Sequence, residues 1–192
     1  MPAEHEDVFG ALRSHLERFW PDRPHEEFEW TVGPIGESLP RFRVRRVAPL
    51  SPRDAWVYTS LGAWEVTHDE GDGMEFFLLA PTESPFHVEL LAMVANLHAD
   101  SRYRLSVGSV VNIGRAWTEG SSCDHLLVSR PYPYGPRLER CQVDGRLVRF
   151  IWLVPITPAE AALARREGVE ALERLLEQNE IDPIAPARPS VA

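Results

Sequence analysis

The chain has 192 residues, 44% hydrophobic and 26% charged, which suits one globular domain with a sizeable core. Its 20 basic residues are all arginine, and the net charge of −9 is uneven: residues 1–100 carry 8 Arg against 18 acids, residues 101–192 carry 12 against 11. The one dense basic stretch (Arg41, Arg43, Arg45, Arg46) alternates along a predicted strand and reads as a solvated face, so nucleic acid is not an expected partner.

Val8, Leu12, Leu16, Phe19 and Trp20 recur at helical spacing and predict a first helix over about residues 4–20, ended by Pro21 and Pro24. β-branched and aromatic residues predict strands at 28–32, 42–47, 55–59 and 74–80. Ser84, a good N-cap, precedes Pro85 and opens a second helix. Its stretch 88–97 is apolar except at Glu89 and Asn96, so burial on nearly all sides is expected. Further strands are predicted at 109–113, 125–129, 137–143 and 147–154, with Asp144-Gly145 as a hairpin turn between the last two.

Thr157-Pro158-Ala159-Glu160 is a capping box that starts a third helix, which Gly168 breaks before Val169, Leu172, Leu175 and Leu176. This order predicts an α+β fold: a mixed or antiparallel sheet packed by an N-terminal helix, a buried central helix and a broken C-terminal helix. Residues 1–181 are expected to form a single domain. Residues 182–192, with Pro183, Pro186 and Pro189, form a proline-rich C-terminal tail over the surface.

No stretch has the length of a membrane span or the apolar run of a signal peptide, so a cytoplasmic setting without membrane attachment is expected. Cys123 and Cys141 are then expected as thiols. The absence of lysine removes the standard phosphate-binding loop, and neither HExxH nor a Gly-x-Ser-x-Gly elbow occurs. His87-Val88-Glu89 matches half of a zinc deaminase signature, but the Pro-Cys-x-x-Cys half is missing. Cys123 and His125 share one face of a strand and offer two ligands or a reactive pair, with His68 or His98 as a further partner. A buried thiol beside a satisfied histidine is the simpler reading, so neither catalytic nor metal-binding residues are assigned and no cofactor is expected.

Trp64 stands at the exit of a strand and precedes Glu65, Asp69, Glu70 and Asp72. An aromatic anchor within an acidic rim suits a surface that binds a basic protein. The alternative is a solvated acidic turn with Trp64 folded inward.

Several stretches resemble one family when taken together. Trp56-Val57-Tyr58-Thr59-Ser60-Leu61-Gly62 resembles the early strand of suppressor-of-fused domains. Glu89-Leu90-Leu91 is similar to their central helix, and Cys123-Asp124-His125-Leu126-Leu127 to a later strand. The stretch from Phe150 through Pro155 to Glu160 resembles their strand-to-helix passage, and Asp182-Pro183 with Arg188-Pro189-Ser190-Val191 their close. The resemblance covers residues 55–191 and implies a protein-binding, sequestering domain without enzymatic activity. Bacterial members have been proposed as immunity proteins that neutralise toxins, so a basic toxin or effector is the implied partner. Family members that clamp a peptide carry an acidic residue after the mid-chain glycine, where this chain has Ser109 after Gly108. The resemblance implies the binding role, and the aromatic and acidic pattern gives the expected partner-binding residues: Trp64, Glu65, Asp69, Glu70 and Asp72. The rival is a metal- or thiol-dependent enzyme built on Cys123 and His125.

Overall fold

The computed structural model describes residues 2–31, 33–67 and 71–192, with side chains described from Val8 onward. In chain order the first elements are α1 (Pro2–Glu17), β1 (His25–Glu29), α2 (Ile35–Ser38), β2 (Arg43–Val47), β3 (Trp56–Leu61), β4 (Gly73–Ala80) and α3 (Pro85–Ala99). They are followed by β5 (Val110–Asn112), β6 (His125–Ser129), α4 (Pro136–Glu139), β7 (Arg140–Val143), β8 (Arg146–Ile156), α5 (Pro158–Glu167) and α6 (Val169–Gln178). The α+β class is as expected. The chain folds into two compact units, one of residues 1–105 and 130–152, the other of 106–129 and 153–192.

In the first unit β1, β2, β3 and β4 pair antiparallel in sequence order, β8 joins β4 in parallel, and β7 pairs β8. The sheet is therefore mixed. Helix α3 packs across β2, β3 and β4 and buries Val88, Leu90, Leu91, Val94 and Ala95. Ser84 caps it by accepting the N–H of Phe86, as its position before Pro85 predicts. One strip of α3 stays open, because Glu89 is exposed and Met93 is 48% exposed. An almost wholly apolar helix is thus not buried all round: one sheet covers only one side of it. Helix α1 buries Leu12 and Leu16, and its His15 donates from Nε2 to the Leu138 carbonyl at 2.8 Å.

Three local expectations are corrected. The first strand starts at His25 rather than Phe28, because its register places His25 opposite Val47 and Glu29 opposite Arg43. The predicted strand at 137–143 opens instead as α4, since Gly135 takes φ 67° and Pro136 supplies the fixed φ of a first helical residue. The arginine stretch is not a solvated face. Arg45 is 3% exposed and bonds to Glu17 at 3.0 Å and Glu27 at 3.3 Å. Arg43 pairs with Glu29 at 2.9 Å, Arg46 with Glu26 and Glu83, and Arg41 with Glu65 at 2.7 Å. With each of the four guanidinium groups matched to a carboxylate, no basic stripe remains for phosphate.

In the second unit β5 and β6 form an antiparallel pair, with Val110 opposite Leu127 and Asn112 opposite His125. The capping box at Thr157 is complete: its side chain accepts from the N–H of Glu160, whose carboxylate accepts from the N–H of Thr157. Gly168 separates α5 from α6 as expected. Residues 182–192 carry no helix or strand and belong to this second unit.

Candidate functional site

The corner of the first unit between β3 and β4 is built from backbone requirements. Leu61 ends β3, and Gly62 then takes φ 111°, a conformation that a side chain resists. One 3₁₀ turn, Ala63–Val66, follows. Its Trp64 is 4% exposed, with its side chain over the start of β4. Gly73 lies directly beneath: a Cβ there would sit 2.8 Å from Trp64 Cβ, so only glycine allows the indole to seat.

Beneath the turn lies Glu75, fully buried on β4. Its carboxylate accepts the N–H of Gly62 at 2.7 Å and of Trp64 at 3.3 Å, and the hydroxyl of Ser60. Ser60 in turn accepts the N–H of Phe76 at 2.8 Å. None of these hydrogen-bond partners is a cation. Burial raises its pKa to about 7, against the hydrogen bonds that favour the anion.

The expected partner-binding residues fall into four groups. Trp64 is folded inward, so it supports the turn and does not stand out as an exposed anchor. Glu65 leaves the turn and holds Arg41, with its side chain 11% exposed. Asp72 is exposed, and its carbonyl accepts the Thr67 hydroxyl at 2.9 Å, which ties the two ends of the acidic segment together. Asp69 and Glu70, like His68, lie outside the described residues. Ser60, Gly62, Gly73 and Glu75 were missed. The signal available was Glu75 itself, a lone acid opening the apolar run 76–80, where a charge needs dedicated partners.

The same unit carries an apolar groove of about 370 Å³ lined by Trp30, Pro34, Ile35, Ala92 and Met93, with Glu89 and Asn96 as its polar members. His87 and Glu89 do not form a site. His87 is fully buried with its ring edge-on to Tyr58 at 5.0 Å, whereas Glu89 faces outward.

The rival chemistry sits in the second unit. Cys123 is 1% exposed, and burial raises its thiol pKa, the opposite of what a nucleophile needs. His125 bonds through Nδ1 to Asp124 at 2.6 Å. His98, in the first unit, accepts the N–H of Leu105 at 3.1 Å, and burial lowers its pKa to about 4. Among the described residues no group of three or more His, Cys, Asp or Glu is placed to hold a metal ion, and both cysteines are free. No described helix is long and apolar enough to cross a membrane.

Residues 39–189 match the family model of suppressor of fused protein (SUFU). No curated protein matches the sequence. Among solved structures, a suppressor-of-fused homolog from Neisseria gonorrhoeae is similar at 40% identity and a TM-score of 0.86, over 97% of this chain and 98% of that one. A Sufu–Fu complex structure shares the fold at 17% identity and a TM-score of 0.70, over 95% and 91% of the two chains. Drosophila Suppressor of Fused does so at 14% identity and 0.64, over 98% of this chain and 51% of its own. The family match spans most of the sequence, and the chain is a member of the suppressor-of-fused family.

Proposed function

We propose that this chain is a non-catalytic protein-binding domain that sequesters its partner by covering a functional surface. The partner we propose is a basic toxin or effector, which makes the chain an immunity protein acting in the cytoplasm. A relative of the same fold is known in a Sufu–Fu complex, which supports a protein as the ligand class.

The observation that carries the site is the anchored base of the acidic segment. Glu75 grips the turn from below, Trp64 fills the space behind it, and Thr67 bonds to Asp72 across the ends. Asp72 is exposed beside this root and Glu65 reaches Arg41 from it, and Glu65, Asp69, Glu70 and Asp72 all fall in the half of the chain that carries the whole of the net negative charge. A pre-ordered base lowers the entropy lost on binding, and the charge steers a basic surface. Trp64 contributes in this reading by holding the base, not by touching the partner.

Co-expression with the product of the adjacent gene tests the reading. Growth protected by this chain, together with a purifiable complex of the two proteins, is the expected result. An adjacent product that is harmless alone and does not bind would overturn the toxin assignment. Stoichiometric zinc in purified protein, lost on Cys123→Ser, would instead favour the enzyme.

A further inference from the structure

Within the second unit, the last residues behave as a ligand seated in a site. Residues 188–192 have no regular secondary structure, yet Arg188 is only 6% exposed. Its Nη1 donates to Glu160 Oε1 at 2.8 Å and to the Pro189 carbonyl at 3.0 Å. Its Nη2 donates to Glu160 Oε2 at 2.6 Å and to the Pro155 carbonyl at 3.0 Å. Each Nη thus makes two hydrogen bonds, and the buried Nε–H has no hydrogen-bond partner among the described residues. The next two residues are read as well: Ser190 bonds to the Thr157 hydroxyl at 2.9 Å, and the N–H of Val191 donates to Glu160 Oε1 at 3.1 Å.

The receptor half of this arrangement belongs to the end of β8 and the capped start of α5. Glu160 is fully buried at the start of α5, with its carboxylate fixed by the capping box, and Pro155 belongs to β8. Burial alone would raise the Glu160 pKa, but the Arg188 fork and the N–H groups of Thr157 and Val191 outweigh it and hold the carboxyl below its usual value. A buried carboxylate, a carbonyl in line and a hydroxyl to the side form a pocket that selects arginine by shape. Lysine, a compact point charge with three donors, cannot satisfy both carboxylate oxygens and both carbonyls from one position.

We propose that Glu160, Pro155 and Thr157 form a binding site for an extended peptide segment of the type Arg-Pro-Ser-Val. The chain's own residues 188–191 occupy it as an intramolecular ligand, and an arginine-bearing segment of a protein partner takes the same place in trans once they leave. This rests on the reading of the chain as a protein-binding domain, and adds a second site, with a stated chemistry, that is closed by the tail.

A protease site inserted between Pro186 and Ala187 gives a full chain in which the tail can be cut without altering any residue of the pocket. After cleavage, a fluorescein-labelled peptide Ala-Arg-Pro-Ser-Val-Ala is expected to bind at one per chain. The unlabelled peptide should displace it, and the version with lysine for arginine should bind roughly tenfold more weakly or worse. The uncut protein should bind the labelled peptide at least roughly a hundredfold more weakly, since a tethered competitor has a millimolar effective concentration. Three results would each overturn the proposal: no exchange in a cut protein that keeps its circular dichroism, equal binding of the lysine peptide, or unfolding on cleavage. Arg188→Ala in the uncut chain, restored in thermal stability by the free peptide, is the independent check. No partner protein enters this experiment, so its failure leaves the acidic segment untouched, and loss of partner binding on neutralising that segment leaves this site untouched.

Discussion

Ser60 and Glu75 meet across β3 and β4: the Ser60 hydroxyl donates to the buried carboxylate and accepts the N–H of Phe76 at 2.8 Å. The pair sits at the base of the acidic segment, and burial raises the Glu75 pKa from 4.5 to about 7. The folded chain therefore holds this proton more tightly than the unfolded chain does. Its contribution is fully present below pH 4.5 and is lost as the pH rises through 7, a change of about 3 kcal/mol. Glu75→Gln keeps an oxygen to accept the two N–H groups and removes the titration. Its stability relative to wild type, measured by urea denaturation, should improve by about that amount between pH 4.5 and 8. A difference independent of pH would mean that Glu75 titrates normally.

His98 works against Glu75 in the same range. Burial lowers its pKa from 6.5 to about 4, so the folded chain binds this proton less tightly than the unfolded one. Its contribution is present above pH 6.5 and is lost as the pH falls through 4. The two opposing slopes nearly offset each other between pH 4.5 and 6.5. His98→Gln removes one of them, so relative to wild type this variant should gain stability as the pH is lowered from 6.5 to 5, by about 2 kcal/mol. A variant with the same slope as wild type over this range would show that the offset is not operating.

Arg45 offers a stability test with a different physical basis. It is buried beneath Glu17 and Glu27, and Glu27 is also held by a two-point contact from Arg13 at 2.8 Å. Arg45→Met leaves Glu27 bonded to Arg13 and within the field of Arg43, so the cost should be about 2 kcal/mol, below the full penalty for a carboxylate left buried and unpaired. A loss within about 0.5 kcal/mol, as at exposed positions, would mean that the buried pair adds nothing over methionine packing.

What could be read in the sequence divides along the range of the interactions involved. The Thr157–Glu160 capping box and the Asp144-Gly145 turn depend on neighbours within a few residues, and both appear as expected. The α+β class follows from periodicity, which is also local. Arg45 was misplaced because alternation says which side of a strand a residue faces, and not that Glu27 waits on the adjoining strand 18 positions earlier. Arg188 and Glu160 are 28 positions apart, and a proline-rich stretch gives no sign that one of its arginines will be enclosed. For the acidic segment, the charge is legible, whereas the inward turn of Trp64 stands only as one of two alternatives, because it is decided by the space that Gly73 leaves on the next strand.

The acidic segment yields the last prediction, on rates. Asp72 is exposed, where an ion pair contributes at most about 1 kcal/mol, so Glu65, Asp69, Glu70 and Asp72 are expected to act mainly through their summed charge. Their effect should fall on the encounter with a basic partner, where four charges of one sign raise the local potential. Glu65→Gln, Asp69→Asn, Glu70→Gln and Asp72→Asn together should slow association by roughly tenfold or more at low salt, with a much smaller effect on dissociation. The difference should shrink as ionic strength rises and the Debye length falls to about 3 Å near 1 M. Folding should survive, because the grip of Glu75 on Gly62 and Trp64 is untouched and only the Arg41–Glu65 bridge is lost from the described contacts of these residues. Stopped-flow association at several salt concentrations measures both trends. An unchanged rate at low salt in a folded variant would place the partner surface elsewhere, and the open strip of α3 beside Met93 would then be the next region to vary.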